Sequence, residues 1–558
     1  MAGTRISSPA RLGDEFEAPP PMRRGRLRIP DAFRADLPNE GNAAKWAARG
    51  LVAVAIVFNL WTLRAEVLPV AYRSDSAEHL AMVEWASARI EAGHLPFDGW
   101  FPSLQLGSAQ FHHYQSLPHI LTGLLGTVFG SAWSFSVVLY LLLAFWPLAV
   151  FWSVRLLGWD SWAAGLAAAM SPLLVSTPGY GFETGSYIWR GWGIWSQLWG
   201  MWLLPFAWAL TWRALARKGS FALAALAIAL TVACHYLTGY LAFLSVGVLV
   251  LVKPSEFRRR VVRGFLVVAG AVAAASWVIV PILLDQKWIV QDEYAVGTFY
   301  HDSYGARRVL GWLFTGQLFD GTRLPVISMF VLTGAGVCVA RWRSDERARV
   351  PLVLFALSLL LFFGRPTLGP LLNLVPGGHE LFLHRYIMGV HLAGIALAGI
   401  GAAWVGRVLF EAARASVPSL RESRVLVGAL TIVLLAMLAP AFVERYSYTA
   451  QDHQWIQKQR ASDATDGGDY SALVNLAQSF GPGRIYSGLR GAWGANYEIG
   501  FVPAFAYLVL DGTDSVGFTL RTASLSALIE TRFDENDLSQ YDMLNIRYLI
   551  YPANRQPA

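Results

Sequence analysis

Charge is scarce in this chain. Asp, Glu, Lys and Arg make up 15% of the 558 residues, where a soluble globular protein carries about a quarter. The deficit excludes a soluble fold of this length, which would leave the surface of roughly two to four domains without polar cover. Cysteine is scarcer still: Cys234 and Cys338 are the only two, and both lie in apolar runs. Neither a disulfide framework nor a cysteine-based metal site is therefore available. A Walker loop, a GxSxG elbow and a Rossmann glycine fingerprint are also missing, which removes support for ATP-driven and hydrolase chemistry.

What the chain has instead is apolar runs of about 15–25 residues, the length that crosses a hydrocarbon core. The expected fold is all-α and polytopic, with about eleven transmembrane helices. Barrel strands alternate over about ten residues and never make such runs. The spans fall near 47–69, 134–157, 161–177, 196–215, 263–284, 322–340, 350–363, 386–408 and 425–442, with two more inside 220–252. That last stretch has basic residues at both ends, Arg217-Lys218 and Lys253 with Arg258-Arg259-Arg260. Both ends want the cytoplasm, so it reads as two short helices broken around His235-Tyr236-Leu237-Thr238-Gly239. The segment 116–130 is too short to cross and reads as interfacial or re-entrant.

The net charge of +7 follows from the same placement. Most Lys and Arg gather on segments that the positive-inside rule assigns to the cytoplasm, so the excess is an orientation signal and no nucleic-acid footprint. Residues 1–46 form a Pro-rich tail carrying Arg23-Arg24-Gly25-Arg26-Leu27-Arg28, expected to be disordered and held at the anionic cytoplasmic membrane face. The transmembrane domain covers 47–442 and includes a long first outer loop, 70–130. Residues 443–558 form a small α/β domain on the extracytoplasmic side, closing on a strand within Asn545–Tyr551. A closing strand so near the chain end reads as a minimal domain or one cut short.

Polar residues at membrane depth mark function because they are costly there. The first outer loop holds Asp75, Glu78 and His79, then His112-His113-Tyr114. Asp75 and His79 are four apart and share a helical face. A carboxylate beside an imidazole can act as a general base. Asp75 also stands where an N-cap belongs, so capping and catalysis both remain open. The second outer loop offers Glu183 and Arg190 among aromatics, which either anchor at the interface or stack on sugar rings. The third offers His301 and Arg307-Arg308, with Asp292, Glu293 and Tyr294 before them. The fourth ends on His384-Arg385 at the mouth of a span, where Arg snorkels or forks onto a phosphate. Carboxylates near imidazoles leave a divalent metal open, although no DxD or HExxH pattern supports one.

The run Asp75–His79, Gly93–Pro96, Gly107-Ser108 and Tyr114-Gln115-Ser116-Leu117-Pro118 resembles the first-loop pattern of the GT-C superfamily of membrane glycosyltransferases. That pattern has an acidic residue, then G-x-x-P, G and Y-x-P-L-P; a proline is absent here at Gln115 or Ser116. His235 and the Leu544–Tyr548 ending are similar to bacterial relatives. The resemblance implies a polyprenyl-phosphate sugar donor, a cell-envelope glycan or glycolipid acceptor, and chemistry on the outer face of a bacterial inner membrane. Asp75 would be the base and Glu183 a second acid. Arg385, with His384 or Arg307-Arg308, would hold the donor phosphate, while Glu78, His79, His112, His113, Tyr114, Arg190 and His301 would line the substrate site. The W-W-D-x-G motif of oligosaccharyltransferases is absent, which disfavours transfer to protein asparagine. A transporter or flippase for lipid-linked glycans should carry mid-bilayer charges and inverted repeats; neither is evident. A non-catalytic part of an envelope-assembly complex is the remaining alternative.

Overall fold

The computed structural model describes residues 41–102, 106–191, 193–288, 296–416, 424–489, 493–516 and 532–555. The basic run of the tail and Asp292–Tyr294 fall outside them. The chain starts with α1 (Asn42–Thr62) and, after an extended stretch, α2 (Ser76–Glu91). There follow α3 (Leu117–Phe129), α4 (Ser131–Leu156), α5 (Ser161–Met170) and α6 (Trp195–Leu215). Next come α7 (Phe221–Cys234), α8 (Tyr236–Leu251), α9 (Phe257–Ala274), α10 (Ser276–Asp285) and α11 (Ala306–Thr315). The bundle ends with α12 (Val326–Ala340), α13 (Glu346–Phe363), α14 (Ile387–Ser416) and α15 (Arg424–Ser462).

The eleven expected crossings are not matched one for one. Among the described residues 3 helices are long and apolar enough to cross a membrane singly, or up to 5 if each bent pair is one span. The bent pairs are Tyr236–Leu251 with Pro254–Ala274, at 96°, and Glu346–Phe363 with Arg365–Leu374, at 92°. Several expected runs form helices too short to cross singly, among them Phe221–Cys234, Ser276–Asp285 and Val326–Ala340, while the expected break at His235 is present. His235 is extended (φ −160°, ψ 114°), and its Nδ1 accepts from the Thr238 N–H at 3.2 Å. The imidazole thus caps α8 and divides 220–252 into two helices. Gly364 (φ +72°) ends α13 by a backbone conformation closed to most residues.

The bundle packs around α14, buried without interruption from Ile387 to Ala403. Small residues make that possible. A Cβ on Gly334 of α12 would strike the Leu397 carbonyl, and one on Gly401 would strike the Phe330 carbonyl. Gly399 likewise meets α5 at Ala163 and Ala167. Helices that touch backbone to backbone gain dispersion contacts that lipid cannot supply.

α15 leaves the bundle and continues into the C-terminal α/β region. After a π-turn over Asp463–Gly467 come α16 (Gly468–Ser479), β1 (Arg484–Tyr486), β2 (Glu498–Ile499) and β3 (Val502–Pro503). Then follow α17 (Ala504–Leu510), β4 (Ser515–Val516), a short α18 (Leu538–Met543) and β5 (Ile546–Leu549). The sheet order is β4-β1-β5 with parallel pairs, while β2 and β3 form a separate antiparallel pair. The expected closing strand is therefore β5. Ile485 and Tyr486 of the neighbouring β1 and Val516 of β4 are buried, which suits a short parallel sheet covered on its faces.

Two predictions follow from this packing. Gly401→Val should separate α12 from α14 and cost about 1–3 kcal/mol, read as a lower melting temperature in detergent; an unchanged melting temperature would show that the helices do not depend on this contact. At the α2–α17 side, burial first and then Asp511 raise Glu84 from 4.5 to about 7. The folded protein therefore holds a proton there that the unfolded chain gives up, so stability falls as pH rises through that window. Glu84→Gln should leave stability at pH 4.5 unchanged and raise it at pH 8 by roughly 1–2 kcal/mol; thermal unfolding at both pH values checks this.

Candidate functional site

The first loop turns into α2 through Ser74 (φ +52°), so Asp75 heads the helix. Its side chain makes no capping hydrogen bond, and the carboxylate lies instead against Gly193. A Cβ on Gly193 (φ +75°) would meet the Asp75 Cβ and Cγ at 2.6 Å, so glycine is what lets the second loop approach the carboxylate. Ser76 Oγ donates to the Arg190 carbonyl, which ties the start of α2 to the same loop. Glu78 is buried on this helix.

His79 forms a pair that the sequence reading did not contain. Its Nδ1 lies 3.0 Å from His119 Nε2, and its Nε2 lies 3.3 Å from the Gly193 carbonyl. His119 Nδ1 in turn faces the Gln115 carbonyl at 3.1 Å. This chain has three contacts, yet two neutral imidazoles bring only two protons. Burial pushes His79 down to about 4, against the Gly193 carbonyl and the Asp75 charge, so the uncharged form prevails at neutral pH. Trp195 stacks on Phe135 at 4.8 Å and packs against both imidazoles.

Arg385 stands at the entry to α14 and is 6% exposed. Its Nε and Nη2 donate to Gln197 Oε1 at 3.0 and 2.6 Å, and Nη1 donates to the Tyr300 hydroxyl at 2.6 Å. The Tyr180 and Tyr300 rings lie 5.9 Å from the guanidinium. Among the described residues no carboxylate forms an ion pair with it. Gln197 is fully buried, and its Nε2 donates to the Tyr180 and Gly181 carbonyls at 3.1 Å. Tyr114 packs against His79 and His119. Burial pushes its phenol up, a bond with Ser196 opposes this, and both Asp75 and Arg385 act on it.

The other expected residues are spread more widely. Glu183 accepts from Ser186 Oγ at 2.6 Å and the Gly181 N–H at 3.3 Å, with His391 Nδ1 at 3.2 Å. Burial works to raise its pKa, but His391 and Ser186 together hold it below the ordinary carboxyl value. Arg190 pairs with Glu66 at 3.6 Å and donates to the Glu66 carbonyl and Ser136 Oγ. Arg445 and Asp452 of α15 are buried by the same pair, and burial with the neighbouring Glu66 carboxylate pushes Asp452 up. His112 bridges Asp285 at 2.9 Å and Asp98 at 3.2 Å, joining the first loop to the end of α10. Burial lowers His113 beside it.

His301 contacts Asp302 at 2.7 Å and the His379 carbonyl at 3.1 Å, within a loop knot that Arg365 also holds. His384 Nε2 reaches the Gly179 carbonyl at 3.2 Å inside a ring of aromatics that includes Tyr300 and Tyr304. Arg307 and Arg308 are exposed on α11 and line an open cavity of about 640 Å³. Arg308 lies over Tyr304 and Trp312 there. Tyr304 separates that cavity from His384. Among the described residues no three His, Cys, Asp or Glu side chains converge to hold a metal ion.

Asp75, His79, Tyr114 and Arg385 thus belong to one neighbourhood, joined by Gly193, His119, Trp195 and Gln197. The added residues carried a signal: His119 and Gln197 are polar positions inside or beside apolar runs, where a polar side chain needs a reason to be.

The fold has solved counterparts. The archaeal oligosaccharyltransferase AglB from Archaeoglobus fulgidus, in complex with an inhibitory peptide and a dolichol-phosphate, is similar at TM-score 0.54 and 11% identity, over 92% of this chain and 70% of that one. The apo form of the Archaeoglobus fulgidus oligosaccharyltransferase gives TM-score 0.54 and 13% identity, over 91% and 70%. ArnT from Cupriavidus metallidurans bound to undecaprenyl phosphate gives TM-score 0.47 and 12% identity, over 91% and 90%. No curated protein matches the chain. The chain therefore shares its overall fold with the Archaeoglobus fulgidus oligosaccharyltransferase. A family model covers most of the sequence, residues 17–478, and the chain belongs to that family, described as a family of unknown function (DUF6541).

Proposed function

We propose that the protein is a membrane glycosyltransferase that moves a sugar from a polyprenyl-phosphate-linked donor to a hydroxyl of a cell-envelope glycan or lipid. The observation that carries this reading is Arg385, a buried guanidinium with neutral partners and no carboxylate among the described residues. A cation buried in this way is costly unless an anion arrives to complete it. A phosphate at headgroup depth is the anion that a lipid-linked donor brings, and a guanidinium forks onto it. The GT-C architecture and the dolichol-phosphate named in the AglB complex are in keeping with this.

Asp75 supplies the second half. It takes the proton from the acceptor hydroxyl as that oxygen bonds to the anomeric carbon. The bond from that carbon to the phosphate oxygen breaks, and the polyprenyl phosphate leaves with the electron pair, its charge met by Arg385. His79, kept neutral by burial, does not compete as a charged group. Glu183, whose Oε1 accepts from Ser186 and Gly181, braces the loop that carries Tyr180 and so supports Arg385 from behind. The reading places this chemistry on the outer face of a bacterial inner membrane, with the N-terminus in the cytoplasm.

Two substitutions test it. Asp75→Asn should lower turnover at least about 100-fold while donor binding persists, measured with a labelled polyprenyl-phosphate sugar; retained turnover removes Asp75 as the base. Arg385→Lys keeps the charge but loses the fork, and should weaken donor binding by about 1.5–3 kcal/mol. Donor affinity within about 1 kcal/mol of the parent would show that the phosphate binds elsewhere.

A further inference from the structure

The C-terminal domain reaches into the first loop on both sides of α2. Upstream, the Ala71 N–H donates to Asp463 Oδ2 at 2.8 Å. Ala71 lies four residues before Asp75, in an extended stretch without a backbone ladder of its own. Downstream, Leu106 packs against the core of the C-terminal domain formed by Tyr486, Leu489, Val516, Phe533 and Leu544. Between these two grips, α17 packs along α2.

Asp463 is itself held from several directions. Its Oδ1 accepts from Gln459 Nε2 at 2.7 Å and the Tyr507 hydroxyl at 2.5 Å. Gln459 is anchored in turn, because its Nε2 donates to the Ile499 carbonyl at 3.0 Å and its Oε1 accepts from the Phe501 N–H at 2.8 Å. The carboxylate stands at the start of the π-turn Asp463–Gly467. Single π-turns inside longer helices recur at functional positions because they re-aim one side chain. Here the re-aimed side chain leaves its own domain and takes a backbone N–H of the loop ahead of Asp75.

We propose that Asp463 is a positioning residue for Asp75, and that the C-terminal domain serves as a clamp that presents the first loop for catalysis. This rests on the transferase reading above. A carboxylate bonded to a backbone N–H makes one of the stronger hydrogen bonds a protein offers, and this one fixes the chain just before the strained Ser74. A displacement of about 1 Å at a reacting group costs on the order of 100-fold in rate, so a grip on the backbone four residues away governs turnover without touching either substrate.

The test uses the full-length protein. Asp463→Ala should lower turnover at least about 10-fold with the donor KM within about twofold of the parent. Amide hydrogen exchange over residues 69–75 should rise in the same variant. Asp463→Asn, which keeps an acceptor oxygen for Ala71, should recover part of both losses. If Asp463→Ala fails to accumulate, Tyr507→Phe removes one of the bonds that hold the carboxylate and should move both readouts in the same direction by less. Unchanged turnover, or a fall in turnover with exchange at 69–75 unaltered, overturns the positioning role alone. A parent protein that transfers no sugar from polyprenyl phosphate overturns the transferase reading and the positioning role together, while the exchange data still report the grip.

Discussion

Burying a guanidinium costs several kcal/mol unless its N–H groups are met, and Arg385 enters the bundle at the head of its most buried helix. Gln197 and the Tyr300 hydroxyl offset part of that cost as neutral acceptors. The Gln197 oxygen takes two of the guanidinium's donors while its nitrogen fastens the loop at Tyr180 and Gly181. Three elements are locked by this arrangement: α14, the start of α6 and the second loop. The second loop also brings Gly193 against Asp75, so the carboxylate and the cation are tied to one loop.

The glycines of α12 and α14 serve the same end from below. Backbone contact at Gly334 and Gly401 leaves α14 little freedom to slide, and Arg385 inherits that rigidity. The C-terminal α/β region meets the first loop at Ala71 and Leu106, so α14 and that loop are each held by contacts far away in the chain.

Much of this was legible in the residues themselves. The shortage of charge gave the helical membrane fold, basic residues at both ends of 220–252 required a break, and the His235 side chain supplies it by capping α8. The alternating run near residue 548 became β5. Other features needed three dimensions. Nothing local marks Asp463 as a partner of Ala71, because 392 positions separate them. Arg190 and His301 look like ligands for substrate in a linear reading, whereas the structure gives their hydrogen bonds to Glu66, Ser136 and Asp302. Span number was the least legible property, since runs such as 263–284 and 322–340 form helices shorter than a full crossing, Ser276–Asp285 and Val326–Ala340 among them.

The imidazole pair at His79 and His119 has one more consequence. Two protons over three contacts leave one contact without a hydrogen, whichever tautomers the rings adopt. The Gln115 and Gly193 carbonyls only accept, so neither end of the chain can supply the missing proton. A third proton would complete the chain by making one ring an imidazolium, which burial opposes. The pair is thus kept one proton short of a closed chain, and an acceptor is always left over within it.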